Sequence, residues 1–213
     1  MTQFPHLMSP LRIGAVTVRN RIVSTGHDTG MADHGGVIGD QLIAYQEARA
    51  RGGAGLIVLQ VAAISPEACY TSHILQAMND DCIPGYARMT DAVTAHGATI
   101  FGQVFHPGRE VIGSADGTLG VTWSSSTVPN ERYHVKPRAM TPEIIRQTHI
   151  SYADAADRMP LKLRVVVAEV DADPVERRVK GDVPDGLKVC IAGACSLWAE
   201  RDGAGMGLLC IGG

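Results

Sequence analysis

The apolar positions of this chain follow two rhythms that alternate along its first 158 residues. Residues 20–26, 55–64 and 98–105 are short runs rich in Ile, Val, Leu and Phe. A run without strict alternation is what a strand buried on both faces of a parallel sheet looks like. Between the runs, Leu42, Ile43, Tyr45, Gln46 and Ala50 recur at helical spacing, and so do Tyr86, Met89, Ala92 and Val93. Helices are therefore predicted over 40–52 and 84–96. Asp40 is placed to cap the first, Glu47 and Arg51 are spaced for an i,i+4 pair, and Gly52-Gly53 and Gly97 act as stops. A third helix is predicted from Thr141-Pro142-Glu143 to about Arg158, with Ile144, Ile145, Thr148, Tyr152, Ala155 and Ala156 facing inward.

The connections add to this picture. Residues 11–18 can form a small hairpin inside an entry segment punctuated by Pro5, Pro10 and Gly14. Residues 27–40 hold four glycines and two histidines, which marks a loop long enough to be functional. A long irregular stretch runs from the end of the third strand to Met140, and insertions of that length inside compact domains are usually binding loops or lids. Strand alternating with helix argues for an α/β fold with a parallel sheet. Its functional groups then lie at the C-terminal strand ends, here Thr25-Gly26-His27-Asp28, Val61-Ala62-Ala63 and Gln103 to Arg109.

Composition narrows the function classes. The chain has 213 residues, a formal charge of −3 and 19% charged residues, so no electrostatic case for nucleic acid exists. No apolar run reaches the roughly 18–20 residues of a membrane helix. The first residues lack a basic-then-apolar leader pattern, so a cytoplasmic location is expected. Five cysteines at irregular spacing (Cys69, Cys82, Cys190, Cys195, Cys210) fit free thiols and match neither a zinc ribbon nor an iron–sulfur pattern, so no metal site is expected.

One residue does not belong in its surroundings. Gln103 sits in the middle of the strand Ile100-Phe101-Gly102-Gln103-Val104-Phe105, and its amide carries two donors and an acceptor. Buried without partners it costs roughly 1–3 kcal/mol. Either a loop backbone meets it, or the strand end presents it to a polar planar ligand.

Four motifs together resemble the Old Yellow Enzyme family of FMN-dependent oxidoreductases: Asn20-Arg-Ile-Val, Tyr45-Gln-Glu-Ala-Arg-Ala-Arg-Gly-Gly-Ala-Gly-Leu-Ile-Val, Gln103-Val-Phe-His-Pro-Gly-Arg109 and Pro137-Arg-Ala-Met-Thr-Pro-Glu-Ile. The text is most similar to the branch of 2,4-dienoyl-CoA reductase and trimethylamine dehydrogenase. The resemblance covers about residues 4–158 and implies a (β/α)8 TIM barrel, here about its first half. It implies that Thr25, Gly26 and His27 lie against the flavin ring, that Val61 is the small residue beside it, and that Gln103 bonds its pyrimidine edge. His106, Gly108 and Arg109 would shape the turn beyond. The position matching the flavin-linked cysteine of trimethylamine dehydrogenase is Asp28, so no covalent link is expected.

The resemblance stops after Met159. The family's next strand, its catalytic His/His or His/Asn pair and its Tyr-Gly-Gly-Ser segment are not recognisable in residues 160–213. Strands are predicted there over 163–170, 187–192 and 206–211, and the Gly203-Ala-Gly-Met-Gly207 turn lacks the last glycine of a dinucleotide fingerprint. The division expected is thus a flavin-binding barrel part, 1–159, and a divergent tail, 160–213, whose abrupt onset suggests a shifted reading frame or a fusion. The nucleotide sequence tests this: another frame downstream should encode the missing strand and its histidine. The expected function is an FMN-dependent, NAD(P)H-linked oxidoreductase of ene-reductase or amine-oxidising type acting on a small molecule. The alternative is a catalytically inactive truncated barrel that is unstable or acts only through a partner chain, a second copy included.

Overall fold

The computed structural model describes residues 4–13, 16–111, 113, 118, 120–159, 164–169 and 197–199. The entry segment forms the expected hairpin, β1 (Leu11–Ile13) antiparallel to β2 (Val16–Val18). The main sheet contains β3 (Val23–Ser24), β4 (Leu56–Ala63) and β6 (Thr99–His106), all parallel, with β9 (Arg164–Glu169) parallel to β6 on its far side. The strands stand side by side in chain order, β3, β4, β6, β9. That order is barrel-like; a doubly wound sheet would reverse direction at a switch point. β10 (Leu197–Ala199) pairs antiparallel with β9. β5 (Leu75–Gln76) pairs with the end of β4, above the short β3.

Helices α1 (Asp40–Arg51), α2 (Ile83–Thr94) and α3 (Pro142–Asp157) follow β3, β4 and β6. Of the residues expected to face inward, Leu42, Gln46 and Ala50 on α1, Tyr86, Met89 and Val93 on α2, and Tyr152 and Ala155 on α3 are buried, whereas Ile43, Tyr45, Ala92, Ile144, Ile145, Thr148 and Ala156 are only half-buried. The buried ones pack on the helix-facing side of the sheet with Ile57, Leu59, Ile100 and Val104. The other side of the sheet is filled at the strands' N-terminal ends by a smaller cluster, Val18, Leu56 and Phe101, joined by Leu11, Ile13, Val16 and Val58. The hairpin thus plugs the bottom of the partial barrel and leaves the top as the place for a ligand.

Local expectations are corrected in three places. The first strand, expected over 20–26, is only the two residues of β3. α1 is capped by Gly39, without a side-chain bond, and Asp40 is its first helical residue, paired with Arg88 of α2. Glu47 does not pair with Arg51; His96 Nε2 donates to its carboxylate at 2.9 Å, joining α1 to the turn after α2. Thr141 does cap α3, accepting from the Ile144 N–H at 3.3 Å. At the far end of that helix Arg158 donates to the Asp80 carboxylate at 3.0 Å and to the Ala77 carbonyl.

The long connection after β6 holds a two-residue parallel pair, β7 (Trp123–Ser124) and β8 (Arg138–Ala139). Between them Asn130 accepts from the N–H groups of Arg132 and Tyr133, both at 2.7 Å, and orders the turn that carries Tyr133. In the tail, the strand expected at 163–170 is present as β9. The strands expected over 187–192 and 206–211, the Gly203–207 turn, and Cys190, Cys195 and Cys210 lie outside the described residues. Among the described residues, no helix is long and apolar enough to cross a membrane. Cys69 and Cys82 are free and buried.

Candidate functional site

A cleft of about 310 Å³ opens at the C-terminal ends of β3, β4 and β6. Gly26, His27, Val61 and Gln103, four of the five residues singled out for cofactor contact, line it, together with Asp28, Tyr70, Phe105, Glu110 and Tyr133. The fifth, Thr25, stands behind His27, its carbonyl 3.0 Å from His27 Nδ1.

Val61 and Gln103 are register partners across β4 and β6. Their meeting depends on an irregularity: Val58 pairs with Phe101 and Val61 with Gln103, so β4 holds one residue more than β6 between the two pairs. A bulge of this kind resets which side chains face the inside. Val58 lies beside Gly26 and Val61 lines the cleft, although three positions separate them. Without the bulge, strict alternation would turn one of the two away.

Space at Gly26 is tight. A Cβ there would collide with Gln103 Oε1 and stand 3.0 Å from the Leu59 carbonyl. Gln103 is half-buried, and its amide makes no hydrogen bond to another described residue. Of the two ways to satisfy it, the loop-backbone partner is not found among the described residues, and the amide is on the cleft wall.

The His27 ring is held at both nitrogens. A carbonyl only accepts, so Nδ1 donates to Thr25, and Nε2 at 2.7 Å accepts from the Tyr45 hydroxyl when the ring is neutral. The Arg49 guanidinium lies 3.3 Å from the centroid of the Tyr45 ring and fixes that phenol from α1. His106 is buried away from the cleft lining. Its Nδ1 accepts from the Gly108 N–H at 3.1 Å, and Gly108 has φ +58°, a turn a glycine makes without strain.

Across the mouth, the Tyr70 hydroxyl donates to Asp28 Oδ2 at 2.7 Å. Burial, then that hydrogen bond and the carboxylate charge, push the Tyr70 phenol well above its ordinary range. Tyr70 meets Phe105 edge-on, ring centroids 5.4 Å apart. Tyr70, Tyr133 and Glu110 were not legible as site residues, because loop residues give no periodic signal, and Tyr45 was legible only as an inward position of α1. Gln60 was legible and missed. It is a buried amide in β4, the same anomaly as Gln103 in β6, and it is 1% exposed.

A parallel sheet wound in chain order, plugged at the bottom and open at the top, defines a (β/α) barrel of ligand-binding type, present in part. The chain belongs to the NADH:flavin oxidoreductase / NADH oxidase family, whose profile matches residues 6–160. It is similar to an NADH oxidase of Thermoanaerobacter brockii, 36% identical over 160 residues, 74% of this chain and 24% of that protein. It is also similar to an N,N-dimethylglycine/sarcosine dehydrogenase of Chromohalobacter salexigens, 37% identical over 110 residues, 50% of this chain and 16% of that one. Among solved structures, the Old Yellow Enzyme homologue from Zymomonas mobilis superposes with a TM-score of 0.64 at 26% identity, covering 72% of this chain and 45% of that one. The chain thus spans about a quarter or less of these two curated relatives and under half of this barrel structure.

Proposed function

We propose that residues 1–159 build the flavin-binding part of an FMN-dependent, NAD(P)H-linked oxidoreductase of the Old Yellow Enzyme type, with residues 160–213 a divergent tail. The observation that carries this is the Gln103 amide, unmatched by any described residue and set on the cleft wall against a glycine. A planar heterocycle with donors and acceptors on its edge completes such an amide, and the absent side chain at residue 26 leaves the amide its place on the cleft wall. The size of the cleft falls at the lower end of the roughly 300–1,000 Å³ of small-molecule sites.

FMN would supply hydride transfer, and the protein would supply position and electrostatics. Gln103 would hold the ring edge, Val61 would pack beside it and Gly26 would leave the Gln103 amide its place. His27, pinned by Thr25 and Tyr45, would line the same face. A small molecule is the proposed substrate, activated alkene or amine, and the cytoplasm, where NAD(P)H is available, the proposed location.

One observation favours the alternative of a partial barrel that acts only with another chain. Val23, on the short edge strand β3, is 45% exposed, although its neighbours in the sheet are core residues. A sheet edge of this kind is a template for pairing.

Titration of the purified chain with FMN, followed by flavin fluorescence, tests the reading. Weak binding is expected in wild type, because the family's phosphate-gripping loops are not recognisable in residues 160–213, and it is expected to weaken at least tenfold further in Gln103→Leu with no loss of thermal stability, since the leucine removes an unmatched amide. Absence of binding in wild type, or equal binding by Gln103→Leu, overturns it.

A further inference from the structure

We propose that Gln60 is a positioning residue for the cleft, acting through Asp28 on Tyr70, which it does not itself touch. Gln60 is 1% exposed and lies at the bulge of β4. Both ends of its amide are used. Oε1 accepts from the Thr29 hydroxyl at 2.5 Å and, at 3.4 Å, from the Thr29 N–H. Nε2 reaches Asp28 Oδ1 at 3.4 Å. Asp28 takes two further bonds, from the Gly30 N–H at 3.1 Å and from the Tyr70 hydroxyl at 2.7 Å. Thr29 Oγ1 in turn accepts from the Met31 N–H at 3.3 Å.

These contacts run in one line from a buried strand to the open mouth. The loop after β3 carries Gly26, His27 and Asp28 to the cleft, and the loop after β4 carries Tyr70. The Asp28–Tyr70 bond ties the two loops together. Asp28 is exposed, and an exposed carboxylate exchanges protein partners for water at little cost. Gln60 changes this balance. Its own amide is buried and costly to leave unmatched, so it holds Thr29 and Asp28 in one arrangement. The rigid strand thereby sets the rotamer of an exposed residue on the neighbouring loop.

The inference shares the cleft with the flavin reading but does not require a flavin to bind. Its test uses the full chain and three variants: Gln60→Met, which keeps the volume without the hydrogen bonds, Thr29→Val, which removes the short bond from the loop side, and Tyr70→Phe, which assigns the Tyr70 ring resonances. In Gln60→Met the Tyr70 ring signals are expected to shift and broaden. The amides of Gly30 and Met31 are expected to exchange with solvent at least tenfold faster, while the β4–β6 ladder amides keep their protection. Thr29→Val is expected to shift the Tyr70 signals and speed Gly30 exchange in smaller degree, the Met31 amide being left out because it loses its own acceptor. Unmoved Tyr70 signals, or faster exchange spread evenly through the sheet, overturn the proposal. FMN titration of the same samples separates the two readings. If wild type binds no FMN while Tyr70 responds to Gln60, the functional reading falls and the positioning role stands.

Discussion

Gln103 Oε1 lies directly over the α-carbon of Gly26, where any side chain would have to be. The two residues come from the ends of β6 and β3, with β4 between them in the sheet. Gly26→Ala is expected to push the Gln103 amide out of its place or the loop off the sheet. The cost is about 1–3 kcal/mol, the range for inserting a methyl into a filled site. Chemical denaturation measures it, and FMN affinity is expected to fall in parallel.

Gln46 sets up the opposite change. It is 2% exposed on the inner face of α1, and its Oε1 has no hydrogen-bond partner among the described residues. Gln46→Met keeps the shape and removes the buried unmatched oxygen. A gain of about 1 kcal/mol is expected in urea denaturation, with the midpoint raised and the slope unchanged.

The plug at the bottom of the barrel rests on Phe101, 1% exposed and packed with Val18 and Leu56. Phe101→Ala is expected to cost about 3–5 kcal/mol. Amide exchange should show the hairpin, residues 11–13 and 16–18, losing protection along with the sheet. A hairpin that stays protected would mean that it is held by something other than this cluster.

His149, half-buried on α3, has its imidazole pKa held below the ordinary 6.5 because burial penalises the charged ring. The unfolded chain therefore binds the proton first as pH falls. The sign follows: the contribution is intact above about pH 6.5 and is lost as pH drops from there through the lower folded value. His149→Gln is expected to flatten that part of the stability–pH curve, measured by thermal unfolding between pH 7.5 and about 5.

Much of this protein is local and therefore legible in the chain. The apolar runs place β4 and β6, and helical spacing places α1, α2 and α3 within a residue or two, because each pattern is the direct imprint of burial on one chain segment. Gln103 declared itself in the same way, as a polar residue in an apolar strand. What tertiary structure decided is everything that depends on two segments meeting. β3 is only two residues long, and the buried Asn20 before it donates its amide to the Gly53 carbonyl at 2.9 Å. Glu47 chooses His96 over Arg51 because α2 ends beside it. The bulge in β4 turns Val61 toward Gln103 and Gln60 toward the loop, and no pattern in β4 alone announces where a ladder will slip. Loop residues such as Tyr70 and Tyr133 carry no periodicity, so only the folded chain brings them to the cleft.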